Sequence, residues 1–230
     1  MGNSQTEENP FENAQVAAEW ISSIETEKGL IRDKEIYPRL RTWSQEVDGD
    51  IIDIGAGQGI AANVTILKEG AQYIGIEPSL PLLQRARELY AAPNRKFVKG
   101  DAYNLPIKSA SVNGCFCINV WFHLEHLKTA AVEMARVLKP KGAYFIVTAN
   151  PVAYPIWESM YFEEQHDGNK IVGKVRLPTG VLSKNNFYQH SYSTILDVLA
   201  YSQLHNTHTE TFGKIKGKDE DLFICFIGHK

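Results

Sequence analysis

Residues 50 to 59 read Asp50-Ile51-Ile52-Asp53-Ile54-Gly55-Ala56-Gly57-Gln58-Gly59. A short apolar run that breaks into alternating glycines predicts a buried strand turning sharply into a helix. Glycine takes the backbone angles such a turn needs and lets a ligand come close. The helix that follows points its first N–H groups toward the same place. The spacing is Gly-x-Gly-x-Gly, and Ile60 stands where a dinucleotide fingerprint has its last glycine. Asp53 lies two residues before the loop. A carboxylate there repels a pyrophosphate and accepts hydrogen bonds from an ammonium group.

Outward from this unit, strands and helices alternate. The helix after the loop is expected to run to about Glu69, and Tyr73 to Glu77 reads as a second strand. Ser79 caps the next helix, with Pro81 in its first turn and Leu82, Leu83, Ala86, Leu89 and Tyr90 as its buried stripe. Lys96 to Val98 is a third strand. Val112 to Val120 is a fourth, apolar on both faces as in the middle of a parallel sheet. Leu127, Ala130, Ala131, Met134 and Leu138 stripe a helix that stops before Pro140, and Ala143 to Thr148 is a fifth strand. A helix near 193–203 precedes two strands near 205–213 and 221–228, which read as a hairpin. The pattern predicts an α/β fold: a Rossmann-like, doubly wound, mostly parallel seven-stranded sheet with an antiparallel C-terminal hairpin.

Upstream, Ala17, Trp20, Ile21 and Ile24 recur at helical spacing over about 12–25, and a second short helix begins near Pro38. Residues 1–10 read as a polar, disordered tail, although Gly2 and Thr6 fit a myristoylation pattern. The expected organisation is one domain over 11–230, with N-terminal helices at 11–46. Residues 150–192 match no core element. They hold Tyr154, Trp157, Tyr161, Phe162, Phe187, Tyr188 and Tyr192, and they leave the carboxyl edge of the sheet, where open α/β sheets bind ligands. This insertion is a candidate lid.

Composition narrows the function. Of 230 residues, 43% are hydrophobic and 22% charged, and the formal charge of -3 comes with no Lys/Arg block, so no nucleic-acid partner is indicated. No apolar run reaches a membrane span. Cys115, Cys117 and Cys225 form neither a disulfide framework nor a Cys-x-x-Cys motif, and buried thiols in a reducing cytoplasm fit them.

Two more carboxylates sharpen the loop. Glu77 ends the second strand, where it can accept from ribose hydroxyls. Asp101, in Gly100-Asp101-Ala102, can accept an adenine amino group while a neighbouring N–H donates to the ring. Together they describe a ligand with adenine, ribose and an amino-acid end, but no phosphate.

The run Asp53 to Gly59 resembles the first motif of class I S-adenosylmethionine-dependent methyltransferases. Ile76-Glu77-Pro78-Ser79 resembles their second-strand acidic motif, Gly100 to Pro106 their adenine motif, and Ala135 to Gly142 the segment leading into their fifth strand. The resemblance covers about 45–150 and is closest to the branch of ubiquinone and menaquinone methyltransferases. It implies S-adenosylmethionine as cofactor, held by Asp53, Gly55, Ala56, Gly57, Glu77, Pro78, Asp101, Ala102 and Asn119, and methyl transfer by in-line displacement to a small-molecule acceptor. Asn113 and Lys141 depart from the family's usual Asp and Gly, away from the cofactor contacts. Glu77→Ala is expected to lower cofactor affinity and leave the fold intact.

His123, after the fourth strand, and His190, ahead of the 193–203 helix, are the candidate catalytic bases, because imidazole takes a proton near neutral pH. Trp121, Phe122, Trp157 and Tyr188 are candidate pocket residues. His123, Glu125 and His126 fall short of a metal site, and no metal is expected. Two other functions compete: a nicotinamide-dependent oxidoreductase, opposed by Asp53 and the glycine spacing, and a non-catalytic cofactor-binding protein. The sequence leaves the acceptor and the oligomeric state open.

Overall fold

A computed structural model describes residues 9–26, 31–177 and 180–230. Gly2, Thr6 and most of the expected tail lie outside the described residues. Asn9 and Pro10, expected at the end of that tail, instead cap and begin a 3-10 turn over Pro10–Glu12, with the Asn9 side chain accepting from Phe11 N–H.

The central sheet has the order β3-β2-β1-β4-β5-β10-β9. Its strands are β1 (Ile51–Ile54), β2 (Tyr73–Glu77), β3 (Arg95–Lys99), β4 (Val112–Ile118), β5 (Leu138–Ala149), β9 (His205–Lys214) and β10 (Asp221–His229). β1 pairs parallel with β2 and β4, while β10 runs antiparallel to both β5 and β9. The chain reverses its direction of travel across the sheet between β1 and β4, and a ligand crevice opens at such a switch point.

Alternation along the strands builds a core on each face. Ile52, Ile54, Cys115, Cys117 and Ile146 meet α5 (Leu127–Val137) and α7 (Tyr192–Tyr201). Ile51, Tyr73, Phe116, Phe145 and Val147 meet α2 (Tyr37–Gln45), α3 (Ile60–Val64) and α4 (Leu80–Tyr90). α1 (Ala14–Thr26) packs beside α4, where Arg85 makes a two-pronged contact with Glu25 at 2.8 and 2.9 Å.

Several boundaries differ from the sequence reading. α3 ends at Val64, not near Glu69, because Thr65 turns extended and its hydroxyl bonds back to the Ala61 carbonyl at 2.8 Å. The next N–H, of Ile66, goes to the Ser44 hydroxyl. β4 stops at Ile118, because Asn119 takes a left-handed φ of 58°. β5 starts at Leu138, which pairs with Val112 ahead of a register shift. Lys141 sits at φ 64°, a conformation glycine adopts without strain, and Asn113 accepts from the Lys139 ammonium at 2.8 Å. A π-helical turn over Arg32–Ile36 leads into α2 and has no sequence signal of its own.

Residues 150–192 fold into definite structure. A 3-10 turn (Pro151–Ala153) and α6 (Tyr154–Glu158) lead to a separate antiparallel sheet of β6 (Tyr161–Asp167), β7 (Lys170–Arg176) and β8 (Leu182–Tyr188). Ile171 and Phe187 pack on Phe122 and Ala149, joined by Tyr154, Trp157 and Tyr161. The aromatic richness of this segment is therefore largely packing.

Candidate functional site

Gly55 sits at φ 76°, and a Cβ there would meet a Val120 methyl at 2.3 Å, so only glycine lets the loop pass the end of β4. Gly57 sits at φ 56° with open space where its Cβ would point, as a cradle for a ligand requires. Several of the loop's donors face the protein. Gly55 and Ala56 N–H donate to the Ile76 carbonyl at 2.8 and 3.0 Å, and Gly57 N–H donates to Glu77 Oε2 at 2.8 Å. A phosphate site needs such N–H groups turned outward.

Glu77 is 5% exposed and lies across the loop, with Oε1 accepting from Ser79 N–H at 2.9 Å. Burial pushes its carboxyl up to about 7 against the pull of those two N–H groups. Asp53 is also buried, its Oδ2 held at 2.6 Å by the Tyr73 hydroxyl, and burial raises it to about 7. It points into the α2 side of the sheet beside Tyr73 and not into the glycine loop. Pro78 is half-buried between Glu77 and the helix cap Ser79.

On the far side of β2, Asp101 is exposed. Its Oδ1 accepts from Tyr103 and Asn104 N–H at 2.8 and 3.0 Å, building a tight turn that leaves Oδ2 outside it. Ala102 is packed into the core beneath. Asn119, across the switch point, has its Oδ1 buried without a partner. An orphaned buried acceptor is rare in folded proteins and calls for a donor. The open cradle at Gly57 and this orphan acceptor fit a ligand that brings its own N–H or O–H donors.

Sequence reasoning missed the N-terminal cover. Ser79 Oγ donates to the Phe11 carbonyl at 2.7 Å, Gln58 Nε2 reaches the Ile21 carbonyl at 3.3 Å, and the 3-10 turn lies against β8. Glu19 of α1 has a buried, unpartnered Oε2, a second orphan acceptor. The only sequence signal for it was a carboxylate beside Trp20 in an otherwise amphipathic stripe. Two open clefts lie away from this cover: one of about 570 Å³ includes Asn150, Val152, Tyr192 and Asp221, and one of about 400 Å³ includes Glu125, Asn169 and His190. Neither includes the glycine loop.

The two histidines are placed differently. His123 Nδ1 lies 2.9 Å from the Asn186 carbonyl, so it carries the proton and Nε2 keeps the lone pair. Solvent reaches the ring, although protein also crowds around it. That crowding lowers its pKa and favours the neutral form. His190 is 6% exposed, its Nε2 donates to the Leu124 carbonyl at 2.7 Å, and its ring stacks on Tyr188. It ties β8 to the turn after β4. Trp121 is a core residue, 1% exposed, while Phe122 and Trp157 pack under the small sheet. Among the described residues no three His, Cys, Asp or Glu side chains converge as a metal would need.

Residues 52–146 match the methyltransferase domain family. Residues 52–146 thus carry a methyltransferase domain, on the Rossmann-like fold that solved methyltransferases share. The domain and the shared fold imply S-adenosylmethionine as the cofactor. An S-adenosylmethionine-dependent methyltransferase of Mesorhizobium loti superposes with a TM-score of 0.63 at 18% identity, covering 84% of this chain and 96% of that one. An O-methyltransferase of Aspergillus sclerotiorum is 31% identical over 46% of this chain and 41% of its own length. An O-methyltransferase of Pyrenophora dematioidea is 28% identical over 58% of this chain and 46% of its own. The chain thus spans less than half the length of these curated relatives. Among the described residues no helix is long and apolar enough to cross a membrane.

Proposed function

We propose that this chain binds S-adenosylmethionine and methylates a hydroxyl of a small-molecule acceptor. The observation that carries the cofactor half is the inward-turned loop. With Gly55, Ala56 and Gly57 N–H bonded to Ile76 and Glu77, the loop has little to offer a pyrophosphate. This disfavours the nicotinamide alternative. The names of the two fungal relatives favour oxygen as the accepting atom.

When bound, the cofactor supplies a sulfonium methyl that an acceptor oxygen takes by in-line displacement, the sulfur keeping the electron pair. Glu77 accepts from the ribose hydroxyls through its remaining lone pairs, and Asp101 accepts from the adenine amino group. Asn119 Oδ1 accepts from the ammonium of the amino-acid end, with Gly55, Ala56, Gly57 and Pro78 shaping the wall. Asp53, held by Tyr73 on the α2 side of the sheet, acts on this end only at a distance, adding negative charge when ionised. His123 is the preferred base: its Nδ1–H is fixed on the Asn186 carbonyl, and its free Nε2 takes the acceptor's proton. His190 positions the 150–192 segment, which covers the acceptor as a lid.

Calorimetry tests the cofactor half: S-adenosylhomocysteine binds and NAD does not. NAD binding without an S-adenosylhomocysteine signal would sink the proposal. Labelled S-adenosylmethionine offered to pools of small hydroxylated metabolites tests the transfer, and binding with no transfer to any pool would favour a non-catalytic role. For the base, His123→Ala should slow single turnover about a hundredfold or more with cofactor affinity kept, against a small effect for His190→Ala.

A further inference from the structure

The adenine-side turn is held from outside the cofactor motifs. Arg136, in the last turn of α5, uses all five guanidinium N–H donors. Nη2 reaches the Leu105 carbonyl at 2.9 Å, Nη1 reaches the Ile107 carbonyl at 2.8 Å and Ser109 Oγ at 3.2 Å, and Nε and Nη2 grip Glu133 at 2.7 Å each. Glu133 closes the circuit by accepting from Leu105 N–H at 2.8 Å. The backbone completes the dock: Ala110 and Ser111 N–H cap the Arg136 and Val137 carbonyls at 2.8 and 2.9 Å. Pro106 links this dock to the turn, since a Cβ on Gly100 would come within 2.7 Å of its ring. Asp101 therefore follows wherever Leu105 and Ile107 are held.

We propose that Glu133 and Arg136 are positioning residues for adenine recognition, setting the place of Asp101 and Ala102 by clamping the backbone of residues 105–109. The inference rests on the reading of the chain as an S-adenosylmethionine-binding protein. The physical reason is geometric. A planar guanidinium bridges two carbonyls and a carboxylate at once, and a lysine ammonium, with three donors on one atom, does not. A displaced turn blunts the hydrogen bonds that distinguish an adenine edge, while ribose and amino-acid contacts on β1, β2 and β4 stay in place.

The test compares binding of S-adenosylhomocysteine and S-inosylhomocysteine, which differ at the 6-position of the base, by calorimetry on the full chain. Wild type should prefer the adenine compound about tenfold or more, the worth of a hydrogen bond to a charged acceptor. Arg136→Lys and Glu133→Gln should both reduce that preference at least about fivefold, by weakening the adenine compound selectively. A purely structural role would lower the melting temperature and weaken both compounds alike. An unchanged preference in either folded variant overturns the inference. A wild type that binds neither compound removes the cofactor reading and the inference with it, whereas tight wild-type binding of both compounds with no preference sinks the inference alone.

Discussion

Glu77, proposed above to hold the ribose, also serves the fold. Its two oxygens hold the Gly57 and Ser79 N–H groups. Glu77→Ala therefore strands two donors, each costing about 1–3 kcal/mol, in addition to losing the ribose contact. The expectation that this variant leaves the fold untouched is corrected: its melting temperature should fall, and S-adenosylhomocysteine affinity should fall at least about tenfold. Thermal melts beside calorimetry separate the two losses. Asn119 should behave in the opposite way. It sits at φ 58°, where glycine is unstrained, and its Oδ1 has no partner. Asn119→Gly should leave the ligand-free melting temperature equal or higher and still weaken S-adenosylhomocysteine about tenfold or more, the price of one hydrogen bond to an ammonium. Unchanged affinity would show that the orphan oxygen does not meet the cofactor.

Among elements, the β6–β8 sheet differs most from the body it sits on. β6 is exposed at every position after Tyr161, and the sheet's core is a satellite cluster centred on Ile171 and Phe187. Polar ties around it include the Tyr154 hydroxyl to the His190 carbonyl at 2.6 Å, Trp157 Nε1 to the Leu222 carbonyl at 3.0 Å, the Tyr188 hydroxyl to Glu125 at 3.4 Å, and the two histidine contacts. Segments with small apolar contact open locally at low free energy. Amide exchange in 161–188 should be faster than in β1 and β4 in the free protein, and should slow when S-adenosylhomocysteine and acceptor are both bound. Equal exchange in the two states would count against a lid. Tyr154→Phe removes one tie worth about 0.5–1.5 kcal/mol and should speed exchange near 182–190 without changing β1.

For the whole molecule, the buried carboxylates couple binding to pH. Asp53 and Glu77 are raised to about 7 by burial, so the folded protein keeps protons that the unfolded chain has released. Their contribution to stability is greatest below about pH 4, declines as pH rises toward 7, and is level above it. His123 acts in the other sense. Its lowered pKa makes the folded state less stable as pH drops below about 6.5. Ribose hydroxyls favour an ionised Glu77, so S-adenosylhomocysteine should bind more tightly at pH 8 than at pH 6, with protons released on binding near pH 6.5. Calorimetry in two buffers of different ionisation heat measures that release. A pH-independent affinity would mean that Glu77 is already ionised in the free protein.

The local pattern of residues was enough for the alternation of strands and helices, the glycine turn, the cap at Ser79 and the hairpin at the C-terminus. Each depends on side chains near in sequence: period, capping oxygen, glycine angle. Glu77 and Asp101 were legible for the same reason, since each follows a strand whose end is marked by composition. What required the tertiary structure were relations between distant segments. Nothing near Asp53 in sequence announces that the Tyr73 hydroxyl, twenty residues on, takes its carboxylate. Nothing near Phe11 announces that its carbonyl receives Ser79 across 68 residues. The 150–192 segment read as a candidate lid with no core element, because its strands mix exposed polar stretches with glycine and break the usual alternation. Its sheet forms because Ile171 and Phe187 find Phe122 and Ala149 across the edge of β4 and β5. Covalent neighbours set which elements form; packing and hydrogen bonds between remote residues decided where each carboxylate sits and which backbone groups it holds.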